Sequence, residues 1–218
     1  GRKTKAEQSA LWEKAFPLGE IDRQTPVWRY LCARGLGDLV PSRELRFVKK
    51  LACWEVPDGQ NIDGAAKARL VGEFPAMLAR LTNAEGKFIT LHRTYLTADA
   101  VSTGAFGQKL AAGAVENGVI RLYPAGGVVC LAEGIETALS VHALTGLPAW
   151  SVVSLPGMKR FGPETIPDGV RTFGYAETTT DPTLVRLVRM SLLLAAPQRP
   201  ELEVSVHIPQ AAGTDWND

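Results

Sequence analysis

The chain has 218 residues, is 45% hydrophobic and carries a formal net charge of +1. That is enough apolar material for one large or two small cores, and no apolar run approaches the roughly 20 residues that cross a bilayer. The opening GRKTKAEQSA lacks the apolar stretch of a secretory signal, so a cytoplasmic location without a membrane partner is expected. Three cysteines, Cys32, Cys53 and Cys130, form no CxxC pair and leave one over in any pairing, which supports neither a zinc site nor a disulfide framework. Charge is unevenly spread: up to Pro124 there are 18 Lys and Arg against 13 Asp and Glu, and beyond it 6 against 10. Such a division suits a protein that holds a polyanion with one part and a cation with the other.

In chain order, residues 6–16 place Ala10, Leu11, Trp12, Ala15 and Phe16 at helical spacing before Pro17 and Gly19, which predicts a short amphipathic helix. In TPVWRYLCAR, Thr25 and Pro26 suit the N-cap and first position of a second helix, stopped by Gly35 and Gly37. LRFVKKLACWEV mixes β-formers with cations and leads into PDGQNIDG, an expected loop. The apolar runs of FPAMLARLTNAEGKFITLHRTYL flank Asn83 and Lys87, a hairpin signal.

After Ile120 the pattern becomes short apolar runs separated by helix-length segments, as in an α/β arrangement with a mostly parallel sheet. GVVCLA reads as a strand, EGIETALSVHALTG as a helix closed by Gly146, PAWSVVS and VRTFGYA as strands, residues 182–196 as a helix, and ELEVSVHIP as a last strand before GTDWND. The expected organisation is a basic α+β unit over residues 1–124 and an α/β unit over residues 125–218 with a mostly parallel sheet flanked by helices.

Ligands of open α/β sheets bind outside the carboxyl ends of the strands. Glu133 directly follows GVVCLA, Glu177 directly follows VRTFGYA, and Asp215 and Asp218 lie beyond the last strand. Converging carboxylates repel unless a cation joins them, and hard oxygen ligands select Mg²⁺ or Mn²⁺.

LAEGIETALS, residues 131–140, resembles the glutamate motif of the Toprim family, and GTDWND is similar to the closing motif of phage and plasmid primase-type Toprim proteins. YLCARGL, LRFVKK, PAMLARL and LHRTYL resemble, more faintly, the region that precedes Toprim in those proteins. The resemblance implies a Toprim-like carboxyl-terminal half and a DNA primase that makes short RNA primers on single-stranded DNA from nucleoside triphosphates. Its partner would be a helicase or a zinc-binding template reader. Glu133, Glu177 and Asp215 would be the catalytic acids, and Glu133, Glu177, Asp181, Asp215 and Asp218 the metal ligands. Where the family carries Asp-x-Asp after the central strand, this chain has Glu177 and Thr179, and Asp181 before Pro182 has a competing use as a helix N-cap. A catalytically weakened relative that binds nucleic acid or a replication partner, or a metal-dependent nuclease, are the alternatives. Glu136, three residues after Glu133, could turn toward the same site or cap its own helix.

Phosphate-holding cations are sought in Arg46, Arg93, Lys109, Lys159 and Arg160. The cluster Arg43, Arg46, Lys49 and Lys50 suits a solvated face as well as a nucleic-acid groove. The five tryptophans, with His142 and His207, are expected to be structural.

Overall fold

The computed structural model describes residues 4–55, 69–99, 118–153, 157, 161–176 and 203–207. Helix α1 (Lys5–Lys14) opens with a capping box, the Thr4 hydroxyl accepting from the Glu7 amide while the Glu7 carboxylate accepts from the Thr4 amide. It stops two residues short of the expected end because Ala15 turns extended, and Phe16 and Pro17 become β1 (Phe16–Pro17), antiparallel to β2 (Leu45–Glu55). Between them lies α2 (Pro26–Cys32), with Pro26 at its start as expected. Thr25 holds the N-cap position, but its hydroxyl donates to the Asp22 carbonyl rather than capping the helix.

Strand β2 pairs with β3 (Arg69–Thr82), and β3 with β4 (Phe88–Tyr95), in an antiparallel sheet ordered β1-β2-β3-β4. The β3–β4 turn is the expected one: the Asn83 amide donates to the Lys87 carbonyl at 3.0 Å, the Asn83 side chain accepts from the Lys87 amide, and Gly86 supplies a φ of +74°. Strand β3 begins five residues before Phe74, earlier than its apolar run indicates. One face of this sheet, bearing Leu45, Phe47, Met77 and Ala79, packs on α2. The other, bearing Val48, Ala76, Leu78, Leu91 and Tyr95, packs on Trp12 and Leu11 of α1.

The second sheet is parallel throughout, β6-β5-β7-β8, built from β5 (Val128–Ala132), β6 (Ala149–Ser151), β7 (Thr172–Ala176) and β8 (Glu203–His207). Helix α3 (Ile135–Thr145) connects β5 to β6 and ends at Gly146, whose left-handed φ of +70° lets its amide reach the His142 carbonyl at 2.8 Å. Strand β5 is buried on both faces, as a central parallel strand requires. Cys130 and Ala132 join the core shared with α2, α3 and the antiparallel sheet, while Val129 and Leu131 pack with Trp150, Phe161 and Phe173. The fold is thus mixed α/β, an antiparallel and a smaller parallel sheet joined by one core. Val119 and Ile120 bridge them, pairing with Thr82 on one side and Ser151 on the other.

The expected loop at residues 57–64 and the expected helix over residues 182–196 lie outside the described residues. Among the described residues there is no helix long and apolar enough to cross a membrane, and no disulfide joins Cys32, Cys53 and Cys130.

Candidate functional site

The order β6-β5-β7-β8 has a topological switch between β5 and β7: the chain leaves β5 toward β6 on one side, and the sheet grows from β7 toward β8 on the other. In open parallel sheets the crevice at such a point receives ligands. The two central strands end level, Ala132 opposite Ala176. Glu133 is therefore the residue that enters the carboxyl edge from β5, and it is half-buried there. Glu177 is next in sequence after β7 but lies outside the described residues, as do Asp181, Asp215 and Asp218.

The backbone around Glu133 is held from β6. The Val152 amide donates to the Ala132 carbonyl at 3.1 Å, and the Ser151 hydroxyl donates to the Glu133 carbonyl at 2.9 Å. The same hydroxyl accepts from the Val153 amide at 3.2 Å. Val153 has a φ of +59°, a left-handed conformation that a β-branched residue adopts only when its surroundings impose it. Strand β6 therefore ends sharply beside the candidate acid, shorter than the PAWSVVS run suggests.

Glu136 is taken up from the other side. Its Oε1 accepts a 2.6 Å hydrogen bond from the hydroxyl of Tyr30 on α2, and Gly134 at the N-cap brings no side-chain cap to α3. Tyr30 is 2% exposed. Burial, then the Glu136 charge, push its phenol far above the ordinary value, with Arg34 opposing, so it remains a donor. The Arg34 guanidinium lies 4.1 Å from the centroid of the Tyr30 ring, within cation–π range. Close by in electrostatic terms is His92 of β4, 5% exposed. Burial lowers its pKa to about 4, Glu136 pulling upward and Arg93 downward. Its Nδ1 is buried and has no hydrogen-bond partner among the described residues.

Arg46 and Arg93 both stand opposite Leu78, from β2 and β4 respectively, so the antiparallel sheet brings these two expected cations to one face. Arg46 is engaged there with α1. Its Nη1 donates to the Trp12 carbonyl at 2.6 Å and lies 3.7 Å from Glu13, and its guanidinium sits 4.6 Å from the Trp12 ring. Arg93 is half-buried beside the Tyr95 hydroxyl. Lys109, Lys159 and Arg160 lie outside the described residues. His142 stacks on Tyr123 and bonds the Leu147 carbonyl, a packing role. Trp12, Trp28 and Trp150 are buried, but Trp54 is half exposed.

Tyr30 and Ser151 were not singled out in the sequence. A hydroxyl ending a buried strand must find a partner, which is a usable signal for Ser151. Tyr30 carries no local sign, because its partner is 106 residues away.

A family profile described as a domain of unknown function, DUF7146, matches residues 2–122. The chain belongs to this family. The DUF7146 segment takes in α1, α2, the antiparallel sheet and the bridge to the parallel sheet, and so carries Tyr30 and His92 but not Glu133. No curated protein sequence matches the chain. Among solved structures, the primase fragment of the bacteriophage T7 primase-helicase protein is similar, with a TM-score of 0.46 and 13% identity over 87% of this chain and 63% of that one. A second similar chain comes from the bacteriophage T7 lagging-strand DNA polymerase interacting with primase domains bound to an RNA/DNA hybrid and dTTP. There the TM-score is 0.41 and the identity 15%, over 68% of this chain and 71% of that one. The DUF7146 chain thus spans 63% of the length of the T7 primase fragment.

Proposed function

We propose that this chain is a primase-type protein that joins nucleotides into short RNA primers on single-stranded DNA, with Glu133 as the leading carboxylate of a Mg²⁺ or Mn²⁺ site. The observation that carries the reading is the level ending of β5 and β7 at the switch point, Ala132 opposite Ala176. Each of these strands is followed at once in the sequence by a glutamate. The resemblance of LAEGIETALS to the Toprim glutamate motif supports the same assignment.

The donor chemistry fits a hard divalent cation, since the candidate ligands are carboxylates. Among the described residues no group of three or more His, Cys, Asp and Glu is assembled, so Glu133 would be joined by Glu177, Asp181, Asp215 and Asp218. When bound, the cation would polarise the nucleotide α-phosphate and favour ionisation of the attacking 3′-hydroxyl. The chain's own part is to hold the Glu133 backbone through Ser151 and to bring phosphate-binding cations from residues 1–124, Arg93 and Lys109 among them. Lys159 and Arg160 would serve the same purpose from residues 125–218.

A second reading is favoured by Thr179, which, if the resemblance to Toprim proteins holds in register, stands where those proteins have the second aspartate of Asp-x-Asp. Loss of that ligand would leave a protein that binds nucleic acid or a replication partner without efficient synthesis. Calorimetric Mn²⁺ titration of the native chain and Glu133→Gln, followed by primer synthesis on single-stranded templates, separates the two. Binding and synthesis both lost in Glu133→Gln support the enzyme. Identical titrations of the two proteins would refute the Glu133 site.

A further inference from the structure

The geometry points to Tyr30 as a positioning residue of the acidic site, acting through Glu136, and this inference rests on the primase-type reading of Glu133. Glu133 stands between two anchors. On one side Ser151 holds its carbonyl to β6. On the other, the first turn of α3 begins at Ile135, and its entry at Gly134 is not fixed by any side-chain cap. That turn is held by the burial of Ile135, by the Ala138 amide donating to the Gly134 carbonyl, and from outside the helix by the 2.6 Å bond from the Tyr30 hydroxyl to Glu136, made three residues after Glu133 by a helix of the DUF7146 segment. Tyr30 is itself immobilised, packed in the shared core with Val27, Trp28 and Leu31 and covered by the Arg34 guanidinium.

A buried phenol of this kind is a one-way donor, so Glu136 is committed as its acceptor. Outer partners that orient a metal ligand typically contribute 10- to 100-fold to metal affinity. Here the orientation passes along one turn of backbone from Glu136 to Glu133. The basic, antiparallel part of the chain thereby sets the geometry of an acid it does not carry.

The test uses the full chain with Tyr30→Phe, Glu136→Gln, Glu136→Ala and the Tyr30→Phe/Glu136→Ala double variant, read by Mn²⁺ calorimetry and by steady-state primer synthesis. Tyr30→Phe keeps the ring and its contact with Arg34. It should weaken Mn²⁺ binding by about 10-fold, the low end of what a partner bonded directly to a ligand contributes, and lower kcat while leaving the KM for nucleotide unchanged. Glu136→Ala should match it, and the double variant should be no worse than either single one. Glu136→Gln, whose amide oxygen still accepts the phenol's bond, should stay near native. A purely structural role would lower the urea midpoint and leave Mn²⁺ affinity native well below the transition. Native affinity in Tyr30→Phe overturns the inference, as does loss in Glu136→Gln equal to that in Glu136→Ala, which would make Glu136 a ligand in its own right. If Mn²⁺ binding depends on Glu133 while Tyr30→Phe binds normally, this inference alone falls. If the native chain and Glu133→Gln titrate alike, the primase reading falls and takes this inference with it.

Discussion

The hydroxyl of Ser151, at the end of β6, donates to the backbone carbonyl of Glu133, the residue that follows β5, at 2.9 Å. It also accepts from the Val153 amide, so one fully buried oxygen ties together the ends of two neighbouring strands. Ser151→Ala would leave that carbonyl and that amide without this partner. Leaving a buried polar group unsatisfied costs about 1–3 kcal/mol. Urea denaturation should show a loss in that range. Mn²⁺ affinity should fall with it if the carbonyl bond orients the Glu133 side chain.

His92 predicts a pH dependence. Its folded-state pKa is lowered from 6.5 to about 4, chiefly by burial. Between these values the unfolded chain takes up a proton that the folded chain refuses, so acidification favours unfolding. The His92 contribution is therefore complete above pH 6.5 and is lost as the pH falls toward 4. A shift of this size corresponds to on the order of 3 kcal/mol. His92→Leu, which also removes the unpartnered Nδ1, should flatten the decline in urea stability between pH 7 and pH 4.5. An unchanged decline would assign it to other groups.

Where one stretch of chain contains its own reasons, the sequence was enough. GVVCLA is apolar on both faces and makes the central strand β5, Gly146 ends α3, and the NAEG turn builds the β3–β4 hairpin. Where the reason lies far along the chain, it was not. Phe16 leaves the expected helix because Phe47, 31 residues on, offers it a strand partner, and β3 reaches back to Arg69 because β2 is there to pair with it. Tertiary pairing overrides local preference in both cases. Arg46 suited a solvated face as well as a nucleic-acid groove, and its engagement by Trp12 and Glu13 of α1 had no sign in its own segment. The position of Glu133 at the carboxyl edge was legible from strand order and motif alone. The hold on it from Ser151, and the tie from Tyr30 to Glu136, were visible only once distant residues were brought together.

Gly146 gives a test of backbone strain free of packing. Its φ is +70°, and a Cβ added there would meet nothing within 4 Å. Gly146→Ala should therefore cost only the left-handed penalty, about 1–2 kcal/mol. Urea denaturation should show that loss with Mn²⁺ affinity unchanged, because the residue is at the far end of α3 from Glu133.

The resemblance of this chain to Toprim proteins yields the last prediction. If Glu177 and Thr179 stand where two aspartates belong, the chain has exchanged one of two carboxylate ligands for a hydroxyl, with loss of a charge and of the stronger oxygen donor. Restoring the pair through Glu177→Asp with Thr179→Asp should tighten Mn²⁺ binding in calorimetry, and any primer synthesis should rise with it. The gain should vanish when Glu133→Gln is added, because ligands of one cation act as a unit and their effects are not independent. A tighter site that ignores Glu133 would mean that the restored aspartates bind metal elsewhere. No change in affinity would mean that residues 177–179 do not face the edge formed by β5 and β7, and that the register of the motif must be moved.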